Sequence, residues 1–177
     1  NMNSVCNMYS YPYYRGTPMY NPNSQQLANQ NNQSANQSNN GPIILKDYGP
    51  APFVVNIEEA TKQNNNFRTA LWTGNHLQLT LMSIPVGEDI GLEMHPDLDQ
   101  FIRLEQGQGI VRMGDRQDRL NFQSEVFDDF AFIIPAGTWH NLINTGNKPI
   151  KLYSIYAPPQ HPMGTVHVTK ADAEAAE

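Results

Sequence analysis

With 177 residues and a formal charge of −6, the chain is long enough for one domain with a real core and too short for two of ordinary size. Its Lys and Arg do not cluster, so neutralising a nucleic-acid backbone is not expected, and no apolar run approaches the roughly 20 residues of a membrane helix. The single cysteine, Cys6, excludes an intramolecular disulfide and a cysteine-based zinc site.

Residues 1–41 are dominated by Asn, Gln, Ser and Tyr, as in Q-N-N-Q-S-A-N-Q-S-N-N, and Arg15 is the only charge before Lys46. So few aliphatic side chains cannot offset the entropy of ordering the segment, which predicts a low-complexity leader, disordered by itself. The alternative is an aromatic-polar assembly segment that joins subunits. No basic stretch followed by an apolar core opens the chain, so the expected location is cytoplasmic, with a surface or coat layer the alternative if the chain assembles.

From Pro42 to Val168 the texture is one of short strand-like runs broken by Gly, Pro, Asn and Asp. N-I-E-E-A-T-K-Q is the exception: Asn56 can cap a short helix whose first turn carries Glu58 and Glu59, packed outside the β structure. Then come F-R-T-A-L-W-T, H-L-Q-L-T-L-M-S-I, F-I-R-L-E, G-I-V-R-M, D-R-L-N-F, F-A-F-I-I, H-N-L-I-N and I-K-L-Y-S-I-Y. Many short strands with tight turns predict an all-β sandwich or barrel. In the second of these runs Leu77, Leu79 and Leu81 share one face, expected to be dry, while His76, Gln78, Thr80 and Met82 share a face that is polar or lines a cavity. Residues 169–177 are expected to be a short helix or tail capped by Thr169.

The chemistry-bearing residues fall in two places. In G-L-E-M-H-P-D-L-D-Q-F-I-R-L, Glu93 and His95 are two apart and would leave a strand on the same face, and Gln100 shares a face with Ile102 and Leu104. Phe101 and Arg103 point the other way, Arg103 to the surface or a subunit interface. Further on, P-A-G-T-W-H-N-L-I-N uses Pro135 and Gly137 to deliver His140 into a strand. Asp97 and Asp99 read as turn residues, Asp99 being the alternative fourth ligand if the register slips by one. Trp139 reads as packing, His76 as cavity or edge, and His161 and His167 as surface loop, with cover of a barrel mouth as the alternative.

The two stretches resemble the paired motifs of the cupin superfamily. The first matches through Gly87, Glu93, His95, Gln100 and Gly107, the second through Pro135, Gly137, His140 and Asn144, with Asp129 where the pattern begins with glycine. The chain also resembles small single-domain cupins of the mannose-6-phosphate isomerase-like subgroup, through E-M-H-P-D-L-D-Q-F-I-R and the closing Y-S-I-Y-A-P-P-Q-H-P-M-G-T-V-H-V-T-K-A-D-A.

The resemblance implies a double-stranded β-helix, or jelly-roll barrel, with short flanking helices. It also implies a divalent metal ion (Fe, Mn, Zn or Ni) held by Glu93, His95, Gln100 and His140, where the family's usual set is three histidines and one glutamate. Two imidazoles and one carboxylate suit iron(II) and related divalent metals with open positions, and leave a first shell of net +1. The expected function is a metal-dependent isomerase or oxygenase-type enzyme on a small oxygen-rich molecule, working as a homodimer or larger homo-oligomer. The alternative is a structural cupin, assembled through the leader into a coat or lattice.

Overall fold

The computed structural model describes residues 41–176. The expected leader, except Gly41, lies outside the described residues, as do Cys6 and the assembly role assigned to that segment.

The helix at N-I-E-E-A-T-K-Q is α1 (Ile57–Gln63); the Asn56 side chain accepts the Glu59 N–H, and Glu58 pairs with Lys62 one turn on. Nine strands follow: β1 (Arg68–Thr73), β2 (Gln78–Ile84), β3 (Asp99–Gln106), β4 (Gly109–Gly114), β5 (Phe122–Val126), β6 (Ala131–Ile134), β7 (Trp139–Asn144), β8 (Ile150–Ala157) and β9 (Val166–His167). The short helix α2 (Lys170–Glu174) closes the described chain, with Thr169 and Asp172 forming a reciprocal capping box.

All pairings are antiparallel. One sheet has the order β6-β3-β8-β2-β1-β9 and the other β5-β4-β7. Side chains from both sheets, among them Met82, Leu104, Leu152, Val111 and Leu142, fill one interior core. The result is the all-β jelly roll expected from the sequence.

One expectation needs correction, and a second is met except at Leu77. D-R-L-N-F is not a strand; Asp115 to Arg119 make a turn held by their own ion pairs, and β5 begins only at Phe122, opposite Met113. The alternation predicts one dry face and one that is polar or lines a cavity, and both faces of β2 are largely buried, while Leu77, placed on the dry face, lies before the strand and is 40% exposed. Leu79 and Leu81 face outward into a second core with Ile43, Ala60 and Leu71, under α1 and the segment before it, whereas Gln78, Thr80 and Met82 face the barrel interior. The covering segment, not the strand, makes the leucine face dry.

Asp129 is the one described non-glycine residue with positive φ, at 70°, and it stands where the family pattern has glycine. Aspartate tolerates this left-handed conformation better than most residues. The turn is held by the Asp129 N–H on the Leu104 carbonyl at 2.9 Å, while Arg103 Nη2 donates to Asp129 Oδ1 at 2.9 Å.

Candidate metal centre

The segment Gly91–His95 is not the hairpin strand its alternation suggests. Residues 89–95 run as an irregular ribbon along β7. Glu93 and His140 exchange both backbone hydrogen bonds, at 3.1 and 2.9 Å, and the Gly137 N–H donates to the His95 carbonyl at 2.8 Å. The turn made by Pro135 and Gly137 is fastened further by Asp99, whose Oδ1 accepts the Ala136 N–H at 2.9 Å. Asp99 is thereby spent on the turn and is exposed, as is Asp97, so the alternative of Asp99 as a ligand fails.

This backbone zipper brings one ligand atom each from Glu93, His95 and His140 within 4.8 Å of one another. His140 is 1% exposed and His95 8%. Nδ1 of His140 lies 2.9 Å from the Thr138 carbonyl, an acceptor only, so Nδ1 carries the hydrogen and in the neutral ring Nε2 presents a lone pair. That lone pair stands 3.3 Å from Glu93 Oε1, with His95 Nε2 at 3.6 Å from the same oxygen. Burial disfavours the charged form of Glu93. Hydrogen bonds and charge from His140 and His95 outweigh it, however, and hold the carboxyl far below its usual range. An ionised carboxylate facing two imidazole nitrogens calls for a cation between them, a proton or a metal ion.

Gln100, 2% exposed, points inward from β3. Its Nε2 donates to Ser154 Oγ at 2.9 Å, which fixes the amide and leaves Oε1 buried without a partner. His95 Nε2 and Thr80 Oγ1 are likewise buried without a hydrogen-bond partner. Native interiors rarely leave such atoms unsatisfied, so several in one chamber mark a place built for a ligand, an ion or water. These donors suit a divalent metal: two imidazoles, a carboxylate and an amide oxygen.

The remaining candidates divide. Arg103 points away, paired with Glu105 at 3.2 Å and Asp129, and His76 is exposed. Trp139 is half-buried at the start of β7. His161 and His167 do not behave as surface-loop residues. Both are partly buried, the His161 ring stands edge-on to Tyr156 at 5.2 Å, and Tyr156 in turn stands edge-on to His95 at 5.7 Å.

Arg68 and Tyr156, polar residues at this end that motif spacing does not single out, are almost fully buried. The available signal is strand parity: Arg68 and Ala70 are two apart in F-R-T-A-L-W-T and share a face, and Arg68 pairs with Met82, an interior residue.

Comparison with known proteins agrees with this architecture. The Cupin domain family model matches residues 80–156. The uncharacterized protein YrkC of Bacillus subtilis (strain 168) is 61% identical over 174 residues, 93% of this chain and 94% of the relative. The uncharacterized protein L612 of Acanthamoeba polyphaga mimivirus is 43% identical over 119 residues, 67% of this chain and 72% of that protein. The crystal structure of BH2720 from Bacillus halodurans superimposes with a TM-score of 0.73 at 73% identity, over 73% of this chain and 98% of that one. With two antiparallel sheets enclosing a Glu/His/His cluster and relatives of this closeness, the chain belongs to the cupin superfamily.

Proposed function

We propose that the protein is a metal-dependent cupin that acts on a small oxygen-rich molecule, with Glu93, His95 and His140 as metal ligands and Gln100 as a weaker fourth. The observation that carries the reading is the meeting of the Glu93 carboxylate with the two imidazoles, within 4.8 Å, beside the orphaned Oε1 of Gln100. A divalent ion there would act as a Lewis acid toward a substrate oxygen, the chemistry shared by isomerisation through an enediolate and by metal-dependent oxygenation.

The chain's own residues do the rest. Thr138 fixes the tautomer of His140, Ser154 fixes the Gln100 amide, and the buried ring of Tyr156 packs against His95. Burial holds the Tyr156 phenol above its usual range, so it stays protonated and able to donate a hydrogen bond. The choice between an isomerase, as the mannose-6-phosphate isomerase-like resemblance suggests, and an oxygenase is decided by assay of each reaction. The expected homodimer is tested by light scattering.

The test of the metal reading is elemental analysis of protein purified without chelator. About one divalent ion per chain is expected, reduced to background in His95→Ala and His140→Ala. Stoichiometric metal in both variants, or none in the parent after supplementation, sinks the reading.

A further inference from the structure

Arg68 is a buried cation with no carboxylate at ion-pair distance among the described residues. It projects from β1 toward the interior beside Met82 and is 2% exposed. Its Nη1 lies 3.4 Å from Nδ1 of His167, it hydrogen-bonds the Tyr156 phenol, and its guanidinium carbon lies 5.5 Å from the centre of the Phe67 ring. None of these carries a negative charge. Among the described residues no carboxylate pairs with Arg68, and its Nε is buried with no hydrogen-bond partner. A guanidinium does not shed its proton, so such burial is costly unless something else supplies the counter-charge.

The surroundings say what could. Arg68 and Glu93 line one pocket of about 220 Å³. Lys170 and Glu174 line it too, but the Nζ of Lys170 is taken by Asp89 at 2.6 Å and stands 3.9 Å from Glu174 Oε1, so these two charges answer each other rather than Arg68. The Gln78 side chain clamps the backbone of His161, accepting its N–H and donating to its carbonyl, both at 2.9 Å, and His161 Nε2 is a further buried atom without a partner. The pocket thus sets one planar fork of donors beside Glu93, and the ring of Tyr156 links the neighbouring His161 to His95.

We propose that Arg68 anchors the carboxylate of a small organic acid whose remaining oxygens reach the Glu93, His95 and His140 centre. The inference rests on the metal reading and names its substrate class. A guanidinium fork matches the two oxygens of one carboxylate in parallel hydrogen bonds, and the pocket is smaller than those that take drug-sized ligands. Phosphate sites gather several cations or backbone N–H groups, whereas here the second cation is already paired.

The test uses the full chain reconstituted with Mn²⁺, titrated calorimetrically with glycolate, inorganic phosphate and glycerol, with thermal melts of the same samples. Glycolate should bind and raise Tm, and phosphate and glycerol should not. Arg68→Met should keep its metal stoichiometry, weaken glycolate by about tenfold or more, and melt no lower than the parent without ligand, because it removes an unpaired buried charge. Arg68→Lys, which keeps the charge and loses the fork, should bind glycolate at intermediate strength.

Unchanged glycolate affinity in Arg68→Lys and Arg68→Met overturns the proposal. So does an Arg68→Met protein that melts well below the parent yet binds glycolate as tightly, since Arg68 would then be a packing residue. If Arg68→Met does not fold, Arg68→Lys decides. Binding of phosphate in place of glycolate overturns the carboxylate assignment. If the parent takes up no Mn²⁺, the metal reading has failed by itself; an Arg68-dependent glycolate shift in that metal-free protein still supports the anchor, and its absence overturns it.

Discussion

The two ends of the barrel are built by the same strands and do opposite things. Along β8 the inward side chains run from Ile150 and Leu152 to Ser154 and Tyr156; along β2 from Ile84 and Met82 to Thr80 and Gln78; along β3 from Leu104 and Ile102 to Gln100. The aliphatic end is apolar, and the buried amide among its side chains is fully satisfied. Asn144, buried there at 2%, donates to the carbonyls of Ile84, Pro85 and Lys148 and accepts the Gly146 N–H. At the other end Gln100 Oε1, His95 Nε2, Thr80 Oγ1, His161 Nε2 and Arg68 Nε are all buried without partners. A fold can leave polar atoms unsatisfied at one end only if the other supplies the stability, so the apolar half holds the chemical half in place.

The comparison breaks first at the apolar end. Leu152→Ala, at a side chain 0% exposed, should cost about 2–5 kcal/mol in urea unfolding while the folded fraction keeps its metal stoichiometry. A loss of metal without a loss of stability would show that the ends are not divided in this way.

The opposite pattern is expected at His95. In the metal-free protein, His95→Gln should cost less unfolding free energy than Leu152→Ala, because it gives up only the 3.6 Å pairing with the Glu93 carboxylate and a ring contact with Tyr156. In the parent, metal at a hundred times its Kd should add about 2.7 kcal/mol, and His95→Gln should show none of that gain. Melts with and without chelator measure both.

Asn144→Ala should cost about 1–3 kcal/mol, since it strips partners from several buried backbone groups, with no change in metal binding. Though it belongs to the family motif, its work is to staple the turn after β7. A variant that loses metal at full stability would assign Asn144 to the centre instead.

The last effect is a matter of pH. Burial, and then the Arg68 charge, push the His161 imidazole from 6.5 down to about 3. A histidine kept neutral in the folded state and free to protonate when unfolded contributes stability above pH 6.5. That contribution is lost as pH falls from 6.5 toward 3. Urea midpoints of the metal-free protein should drop across that window, and drop less in His161→Asn. Parallel curves for the two proteins would show that His161 is not held neutral by the fold.

Much of this architecture is legible in the order of residues. Period-two alternation places most strands, and Gln100, Ile102 and Leu104 do share the inward face of β3. The spacing of Pro135, Gly137 and His140 locates the turn that seats the histidine. What escapes are features created by distant pieces of chain. Glu93 and His95 meet His140 through a backbone ribbon along β7, not through strand parity. His161 is drawn inward by the Gln78 amide, 83 positions away in sequence. Asp129 replaces a glycine because its short polar side chain tolerates the turn and reaches Arg103.

The sequence by itself determined the β class, the capped helices and which residues could ligate a metal, because these follow from local periodicity, capping chemistry and motif spacing. Only the tertiary structure decided that both faces of β2 are largely buried, that Arg68 is buried with no carboxylate at ion-pair distance among the described residues and that several polar atoms lack partners. Burial and pairing are properties of what packs against a residue, and those neighbours come from strands that only folding brings together.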